Sequence, residues 1–359
     1  MKFYIKTFGC VQNQADSDQI KQNLQLAGYK QTDKIDKANV MVINSCVVRE
    51  SAENRVYGLI ENIKELNKKN KKKIDIVVTG CLAGWIKQNN IKKRDVMANY
   101  SWVKFKKIDE FDIWRDKLSV INNKLIVPIS FGCNNFCSYC VVPFSRGREV
   151  SRKFEDIVQD CKKGVEQGIK EILLVGQNVN SYGADLVGEK QSFKTMGKNR
   201  ISSLFPEILT KVALMGFEKV SFISSNPWDF TDELIEVIAS YKNIDRLIHL
   251  PVQAGNDLIL KKMNRGYTTR EYEKLVDRLR QKIKGVKIST DIIVGFPGET
   301  DEIFEKSFQF YKKIGFDIAY LNKYSQRNGT VAAKLYKDDI PQRIKKERWL
   351  RLEKLINKN

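Results

Sequence analysis

Three cysteines lie close together near the middle of the chain at the spacing C-x3-C-x2-C: Cys133, Cys137 and Cys140. They follow the short apolar run 125–131, which is typical of a strand, so we expect them on the loop that leaves its carboxyl end. Thiolate-only ligation selects iron–sulfur clusters, zinc or Cu(I), and structural zinc sites and fully coordinated clusters take four protein ligands. Three ligands on one loop therefore predict a cluster with one open iron. The alternative is a zinc site completed by a carboxylate or by His249.

Three more cysteines follow predicted strands in the first part of the chain. The apolar runs 2–6, 40–43 and 74–78 each lead through polar or glycine residues to a cysteine. These cysteines are Cys10, Cys46 and Cys81. Because the carboxyl ends of parallel strands share one edge of an α/β sheet, the three thiols can meet. The pattern predicts a second three-thiolate site, and the alternative is three separate buried cysteines, since free cysteine packs as a small hydrophobe.

The composition limits the class of protein. Seven cysteines in 359 residues indicate metal chemistry rather than a disulfide framework, and the single histidine excludes a metal site built from several histidines. No run of 18 or more apolar residues occurs, and the first residues lack a signal-peptide pattern, so we expect a cytoplasmic protein without a membrane partner.

The chain is strongly basic. Its 63 Lys+Arg against 43 Asp+Glu give a net charge of +20. This balance favours a polyanionic partner, nucleic acid before an anionic membrane. The alternative is a biased composition on a solvated surface. The basic runs 64–73 and 341–359 fit either a solvated surface or a contact with phosphates.

Strands and helices alternate along the chain, which predicts an α/β fold in two domains. The first, residues 1–115, has predicted helices at 15–27 and 50–66 between its strands, and we interpret it as an open parallel α/β sheet. Residues 116–124 are expected to link it to a domain at 125–340, and 341–359 to form a closing basic helix.

The second domain has a longer βα repeat. Six predicted strands alternate with helices, which indicates a partial (βα)6 barrel with chemistry at the carboxyl ends of the strands. The polar stretch 181–203 is expected to form a long loop. The predicted strands are 125–131, 171–175, 219–223, 246–250, 287–294 and 318–320, and helices are predicted at 154–167, 233–241, 269–283 and 301–314.

Two three-cysteine sets, the first on a small α/β domain and the second on a partial barrel, resemble the methylthiotransferase branch of the radical S-adenosylmethionine enzymes. The resemblance covers essentially the whole chain. Its motifs are Thr-Phe-Gly-Cys-Val-Gln-Asn at 7–13, Asn-Ser-Cys-Val-Val-Arg at 44–49, Thr-Gly-Cys at 79–81 and the stretch 132–152. The sequences at 176–180 (Gly-Gln-Asn-Val-Asn), 222–227 and 249–255 most resemble the branch that modifies tRNA.

The resemblance implies two [4Fe-4S] clusters and S-adenosylmethionine as cofactors. The cluster on Cys133, Cys137 and Cys140 would bind S-adenosylmethionine at its open iron and cleave it to a 5′-deoxyadenosyl radical. The other set would hold an auxiliary cluster that carries the sulfur for transfer. In the tRNA branch, a methylthio group is added to carbon 2 of N6-isopentenyl-adenosine beside the anticodon. An unactivated aromatic C–H has no acidic proton, which is why a radical is needed.

Further site residues follow from the same resemblance. Tyr139 matches the aromatic residue that lies against the adenine of S-adenosylmethionine. Gln177, Gln253 and Gly295, at or just after predicted strand ends, are candidates for lining the cofactor cavity. Cys161 lies in a predicted helix outside both sets and is interpreted as a core residue, and His249 as structural or cavity-lining.

The chain departs from the tRNA branch at its end. That branch continues into a small C-terminal β-domain that grips RNA, whereas this chain stops at the preceding helix, so we expect either a truncated chain or RNA binding by the basic surface. The expected partners are tRNA and an electron donor such as flavodoxin or ferredoxin, and the chain is expected to be a monomer. The alternatives are a methylthiotransferase for threonylcarbamoyl-adenosine in tRNA or for a ribosomal-protein aspartate, and a non-catalytic iron–sulfur protein that binds RNA.

Overall fold

The computed structural model describes residues 1–47, 50–69, 73–111, 118–187, 192–195 and 198–358. Several sequence expectations fall partly outside these residues. They concern Val48 and Arg49 of the 44–49 motif, 70–72 of the first basic run, the domain boundary and linker start at 115–117, parts of the expected loop at 188–191 and 196–197, and Asn359.

The chain forms two compact units. The first comprises Met1–Ser119, Gly132–Asn134 and Val141–Arg148. The second comprises Val120–Phe131, Asn135–Cys140 and Glu149–Asn359. Two short segments on either side of Cys137 and Cys140 therefore belong to the first unit.

The first unit is built on one parallel sheet of five strands in the order β2-β1-β3-β4-β5. The strands are β1 (Lys2–Phe8), β2 (Lys30–Gln31), β3 (Val40–Ser45), β4 (Asp75–Thr79) and β5 (Lys104–Phe105). The helices are α1 (Val11–Leu26), α2 (Glu50–Lys69), α3 (Cys81–Gln88), α4 (Asn90–Tyr100) and α5 (Val142–Ser145).

The core of this unit lies between β3, β4 and the helices. Met41, Ile43 and Val78 are fully buried, as expected for central strands of a parallel sheet covered by helices. Ile60 and Trp85 pack onto the same cluster from α2 and α3. Each large apolar side chain removed from water in this way contributes roughly 1.5–3 kcal/mol.

Helix α1 begins earlier than the sequence predicts. The expected start was residue 15, but the helix begins at Val11, directly after Cys10. Gln12 and Asn13 are polar yet buried, so the first turn shows no apolar periodicity that sequence reasoning can detect.

The second unit contains a succession of parallel strands with helices between them. The principal strands are β6 (Ser119–Ile121), β7 (Lys124–Pro128), β10 (Glu171–Val175), β13 (Lys219–Phe222), β14 (Leu247–His249), β15 (Lys287–Val294) and β16 (Ile318–Lys323). The shorter strands are β8 (Ser130–Phe131), β9 (Val150–Ser151), β11 (Ser192–Thr195) and β12 (Lys198–Ile201). The helices are α6 (Phe154–Glu166), α7 (Ala184–Val187), α8 (Phe205–Ala213), α9 (Asp232–Ser240), α10 (Asp257–Lys262), α11 (Thr269–Lys282), α12 (Asp301–Ile314), α13 (Val331–Leu335) and α14 (Gln342–Leu352).

The strands of the second unit follow one another in chain order. One sheet has the order β13-β10-β7-β6 and the other β14-β15-β16, and a parallel bridge between Val220 and Ile244 joins their neighbouring ends. The pairs β7–β10, β10–β13, β14–β15 and β15–β16 are parallel. The predicted fold class, an open parallel sheet followed by a βα succession of the partial-barrel type, is confirmed.

The expectation of a long loop at 181–203 is wrong. The structure forms α7 there, and β11 and β12 pair as an antiparallel hairpin, with Ser192 opposite Ile201. This pairing uses backbone hydrogen bonds between short, mostly polar strands, so the apolar pattern by which strands are recognised is missing.

Across the ranges that the structure describes, no helix is both long enough and apolar enough to span a bilayer.

Candidate functional site

Three cysteines follow three neighbouring strands of the first unit. Cys10 caps the start of α1 after β1, and Cys81 begins α3 after β4. Cys46 directly follows β3, and its backbone N–H donates to the carbonyl of Phe8 at 2.7 Å. Because β1, β3 and β4 are adjacent and parallel, the three cysteines lie at the same edge of the sheet.

A buried polar network lies beside these cysteines. The side-chain amide of Asn13 donates to Asn44 Oδ1 at 3.0 Å, and the amide of Asn44 donates to Asn13 O at 2.8 Å and to Ser17 Oγ at 2.9 Å. Both asparagines are fully buried. Gly80 has a φ of 78°, and a Cβ there would overlap Asn44 Oδ1. The network and this close approach fix the strand ends from which Cys46 and Cys81 project.

Arg146 lies against Cys81 within the first unit. Its Nε donates to Cys81 Sγ at 3.0 Å and its Nη2 donates to Asp16 Oδ2 at 2.7 Å. Both side chains of the ion pair are buried, with 2% and 1% exposure. Burial lowers the pKa of Arg146, but Asp16, Cys81 and Cys10 outweigh burial and raise it well above its ordinary value, so the guanidinium carries its charge at this edge. Arg146 belongs to the 132–152 motif, and nothing in its local sequence indicates a contact with a cysteine 65 residues away.

Hydrogen bonds from the backbone and from the Ser138 side chain fix the central cysteine loop, residues 133–140. In the first unit, Cys133 N donates to Gly147 O at 3.2 Å. In the second unit, Cys140 N donates to Cys137 O at 2.9 Å, which closes a turn. Ser138 Oγ donates to Lys262 O at 2.7 Å and anchors that turn to the end of α10.

A second arginine contacts the central cysteine set. Arg265 is 8% exposed, and its Nη1 donates to Cys137 Sγ at 3.2 Å. Its Nε donates to Tyr267 Oη and its Nη2 to Asn226 Oδ1, both at 3.1 Å, and the guanidinium lies 4.5 Å from the Trp228 ring centroid. Sequence reasoning missed Arg265, because nothing in its local sequence indicates a contact with a cysteine 128 residues away.

The Gln-Asn-Val-Asn motif supports this arginine. Asn178 Nδ2 donates to Asp229 Oδ2 at 2.6 Å. Asn180 Oδ1 accepts from the backbone N–H of Asn226 at 2.8 Å, and Asn226 is the residue that accepts from Arg265. Both asparagines of the motif are 1% exposed, whereas Gln177 is only half-buried and follows the end of β10.

The other cofactor-lining candidates also follow strand ends. Gln253 forms a parallel bridge with Ile292 and has a φ of 68°, and Ser224, after β13, has a φ of 67°. Left-handed backbone at non-glycine residues is strained and clusters at functional sites. Gly295, after β15, has a φ of 70°, and a Cβ there would overlap the aliphatic carbons of Lys345. Packing against α14 is therefore a structural reason for this glycine.

Tyr139, His249 and Cys161 have different surroundings. Loss of water raises the pKa of Tyr139 well above its ordinary value, and Cys137 adds to this effect. The His249 ring lies 3.2 Å from both Ser289 Oγ and Asp291 Oδ2, which fits the predicted structural or cavity-lining role. Cys161 is fully buried, in agreement with the prediction of a core residue, and burial raises its pKa to about 12.

The donor set at the first-unit edge fits an iron–sulfur cluster. Among the residues described, no group of three His, Cys, Asp or Glu side chains is spaced to hold a single metal ion. Thiolates are the ligands that a four-iron cluster takes, and the three cysteines follow adjacent parallel strands of one sheet. Arg146 Nη1 is buried and has no hydrogen-bond partner in the described ranges, so the edge has a cationic donor available for an anionic sulfur group.

The strand ends of the second unit fit a polar cofactor. Ser130 Oγ and Asn178 Oδ1 are buried and have no partner among the residues that the structure describes. Both lie next to the β10 end, because a Cβ on Gly176 would lie 2.8 Å from Ser130 Oγ and Asn178 follows Gln177. Unused hydrogen-bonding atoms at the carboxyl ends of parallel strands are the usual setting of a ligand site.

Two family models match the chain. The Radical SAM superfamily matches residues 127–311. A family described as Uncharacterized protein family UPF0004 matches residues 2–100.

Curated relatives extend the match to nearly the whole chain. The tRNA-2-methylthio-N(6)-dimethylallyladenosine synthase of Staphylococcus aureus (strain JH9) is 39% identical over 382 residues, which cover 99% of this chain and 71% of that protein. The enzyme of the same name from Staphylococcus haemolyticus (strain JCSC1435) is 40% identical, with the same coverage.

Solved structures share the fold at low identity. The radical S-adenosylmethionine methyltransferase TsrM from Kitasatospora setae has a TM-score of 0.61 at 11% identity, and the likeness covers 92% of this chain and 77% of that one. The cobalamin-dependent S-adenosylmethionine radical enzyme OxsB has a TM-score of 0.52 at 11% identity and covers 100% of this chain and 56% of that one.

The fold and the matches to it define a radical SAM protein. The chain belongs to the radical SAM superfamily and, within it, to the family of the tRNA-2-methylthio-N(6)-dimethylallyladenosine synthases. The resemblance inferred from the two cysteine sets is confirmed. Membership implies a [4Fe-4S] cluster and S-adenosylmethionine as cofactors.

Proposed function

We propose that this protein is a tRNA methylthiotransferase that adds a methylthio group to carbon 2 of N6-isopentenyl-adenosine beside the anticodon. The observation that carries the proposal is the position of Cys10, Cys46 and Cys81 after three adjacent parallel strands, in a chain whose other half matches the radical SAM superfamily. The relatives named for this reaction support the choice of substrate.

Two [4Fe-4S] clusters would be held by the two cysteine sets. Cys133, Cys137 and Cys140 would bind the cluster that engages S-adenosylmethionine, and Cys10, Cys46 and Cys81 the auxiliary cluster. When bound, the clusters and S-adenosylmethionine supply the radical and the sulfur for the modification of the adenine.

The chain's own residues position these groups. Arg265 would stabilise the thiolate of Cys137 by its hydrogen bond and its charge. Gln177, Gln253 and Gly295 would line the cofactor cavity, and Tyr139 would lie against the adenine. Ser130 Oγ and Asn178 Oδ1, which have no partner among the described residues, add polar groups next to Gln177.

The net charge of +20 supports tRNA as the partner, because phosphates are neutralised by Lys and Arg. An electron donor such as flavodoxin or ferredoxin would reduce the clusters. The protein would act as a monomer in the cytoplasm.

The test of the substrate is mass spectrometry of tRNA nucleosides from a strain that lacks its own enzyme and expresses this chain. We expect the methylthio derivative of isopentenyl-adenosine. The methylthio derivative of threonylcarbamoyl-adenosine in its place would contradict the substrate but keep the reaction class. Modification of a ribosomal-protein aspartate alone would contradict tRNA as the partner.

The test of the clusters uses anaerobically reconstituted protein. Two four-iron clusters predict about eight irons per chain and a spectral change on addition of S-adenosylmethionine. Cys133→Ala is expected to lose about half of the iron and the response to S-adenosylmethionine. The matched control is Cys161→Ala, which removes a buried cysteine outside both sets and is expected to keep both properties. Equal iron content and an equal response to S-adenosylmethionine in the two variants would contradict the assignment. Iron–sulfur clusters without any response to S-adenosylmethionine would favour a non-catalytic iron–sulfur protein.

A further inference from the structure

Arg146 has an unused donor at the edge of the first sheet. Its Nε is bonded to Cys81 Sγ at 3.0 Å and its Nη2 to Asp16 Oδ2 at 2.7 Å. Its side chain is 2% exposed, and Nη1 is buried with no hydrogen-bond partner in the described part of the chain. A buried charged donor without an acceptor is strongly unfavourable, so such an atom indicates an absent acceptor.

Arg265 also donates to a cysteine, but each of its guanidinium nitrogens has a hydrogen-bond acceptor. Its Nε, Nη1 and Nη2 are all used, by Tyr267, Cys137 and Asn226. The unused nitrogen is therefore a property of the first-unit site and not of arginine–cysteine contacts in general.

We propose that Nη1 of Arg146 donates a hydrogen bond to a sulfur ligand on the open iron of the cluster held by Cys10, Cys46 and Cys81. This inference rests on the proposed function, which assigns the cluster to those cysteines. The chemical class of the ligand is an anionic sulfur, a sulfide or a thiolate, because charge-assisted hydrogen bonds from guanidinium favour anionic acceptors. Arg146 is a positioning residue: Asp16 fixes the plane of its guanidinium, Nε bonds the ligating Cys81, and Nη1 is left for the added sulfur.

A structural pairing is the competing account. Gln12 donates to Asp16 Oδ1 at 3.1 Å, and its own Oε1 is buried without a partner among the described residues. A hydrogen bond from Arg146 Nη1 to Gln12 Oε1 would satisfy both atoms without any ligand. The test must therefore measure the binding of a sulfur ligand and not stability alone.

The experiment uses the full chain with Cys133, Cys137 and Cys140 all changed to Ala, so that only the first-unit set remains. After anaerobic reconstitution, methanethiolate is titrated onto the cluster and followed by electron paramagnetic resonance of the reduced state. In this background, Arg146→Gln is expected to weaken methanethiolate binding about tenfold, the effect of losing one charge-assisted hydrogen bond. The control Arg55→Gln removes an exposed arginine of α2 and is expected to change nothing.

A second variant separates the loss of the hydrogen bond from the effect of misfolding. It is needed because Arg146→Gln alone leaves the buried Asp16 carboxylate without its ion-pair partner. The double change of Asp16→Asn with Arg146→Gln removes both charges and is expected to show the same weakening. Unchanged affinity in both variants would overturn the inference. Loss of iron from both, with the Arg55→Gln cluster intact, would also overturn it, since Arg146 would then be needed to assemble the cluster. Absence of any cluster in the parent background would instead contradict the proposed function.

Discussion

The guanidinium of Arg265 donates a hydrogen bond from Nη1 to the sulfur of Cys137 at 3.2 Å. The same guanidinium is fixed on its other nitrogens by Tyr267 and Asn226 and faces the ring of Trp228. Hydrogen bonds and positive charge beside a ligating sulfur stabilise the reduced, more negative state of an iron–sulfur cluster. Arg265 is thus placed to raise the reduction potential of a cluster on Cys137.

Arg265→Gln is expected to lower that potential. With a lower potential the reduced cluster is populated less readily, and we expect reductive cleavage of S-adenosylmethionine to slow about tenfold while most of the iron is retained. The measurements are a potentiometric titration and the rate of 5′-deoxyadenosine release. The matched control is Arg270→Gln, an exposed arginine of α11. A potential equal to that of the control would refute the assigned role.

The cysteine sets could be predicted from the sequence, but their arginines could not. Cys46 and Cys81 were found because buried strands have apolar sequences, and the residues that follow parallel strands share one sheet edge. Arg146 lies 65 residues from Cys81 in sequence, on a segment that sequence reasoning assigned to the barrel. Its place in the first unit depends on the path of the chain after the cysteine loop, which no local periodicity encodes.

Helices and strands likewise divide into those that the sequence predicts and those that it does not. Sequence reasoning recovered α12 at residues 301–314, because its apolar residues repeat with helical spacing. It missed the first turn of α1 and the hairpin of β11 and β12, because polar residues form both. Periodicity reveals elements that bury an apolar face, and elements with mostly polar sequences stay hidden.

Gly84 and Gly58 form a matched pair in the first unit. Both lie within helices, where Gly→Ala ordinarily stabilises by about 0.5–1 kcal/mol. Nothing lies near the Cβ position of Gly58, whereas a Cβ on Gly84 would overlap the carbonyl oxygen of Ser145, next to Arg146. Gly58→Ala is therefore expected to raise the thermal midpoint. Gly84→Ala is expected to lower stability by about 1–3 kcal/mol, because overpacking outweighs helix propensity.

Iron content separates this packing effect from a general loss of stability. Helix α3 begins at Cys81, so a shift of α3 away from Ser145 displaces one of the proposed cluster ligands. Gly84→Ala is therefore expected to lose iron from the proposed first-unit cluster, while Gly58→Ala keeps it. Thermal unfolding and iron analysis of the two variants are the measurements. Stabilisation by Gly84→Ala to the same extent as by Gly58→Ala would show that α3 and the 141–148 segment do not pack this closely.

Gly295→Ala tests the contact between the β15 end and α14. Gly295 and Gly285 both have left-handed backbone, with φ of 70° and 73°. A Cβ on Gly295 would overlap Lys345, whereas nothing lies within 4 Å of the Cβ position of Gly285. Gly285→Ala is expected to cost about 1–2 kcal/mol from backbone strain alone. Gly295→Ala is expected to cost about 1–3 kcal/mol more, because Lys345 is fully buried and ion-paired with Asp338. Urea unfolding of the two variants gives the difference, and equal costs would refute the close approach.

Glu299 gives the chain a pH-dependent stability. It lies in the turn after β15, is 3% exposed, and accepts from Gly295 N at 2.6 Å and from Arg348 Nη1 at 2.9 Å. Burial raises the pKa of Glu299 from an ordinary value of 4.5 to about 7, although the two hydrogen bonds act to lower it. Between those two values the folded chain keeps a proton that the unfolded chain has released. The stabilisation is complete below pH 4.5 and is lost as the pH rises through about 7.

Glu299→Gln removes this titration, because an amide has no proton to lose in that range. Relative to the unchanged chain, the variant is expected to gain about 3 kcal/mol of stability as the pH rises from 4.5 to beyond about 7, since each unit of pKa shift corresponds to about 1.4 kcal/mol. The control is Glu302→Gln on α12. Glu302 is exposed, and its hydrogen bond with Lys306 lowers its pKa, a shift opposite in direction to that of Glu299. Glu302→Gln is therefore not expected to gain stability relative to the unchanged chain as the pH rises. Urea unfolding across this pH range distinguishes the two variants. Parallel curves for Glu299→Gln and the unchanged chain would mean that Arg348 and Gly295 keep the Glu299 carboxylate ionised throughout.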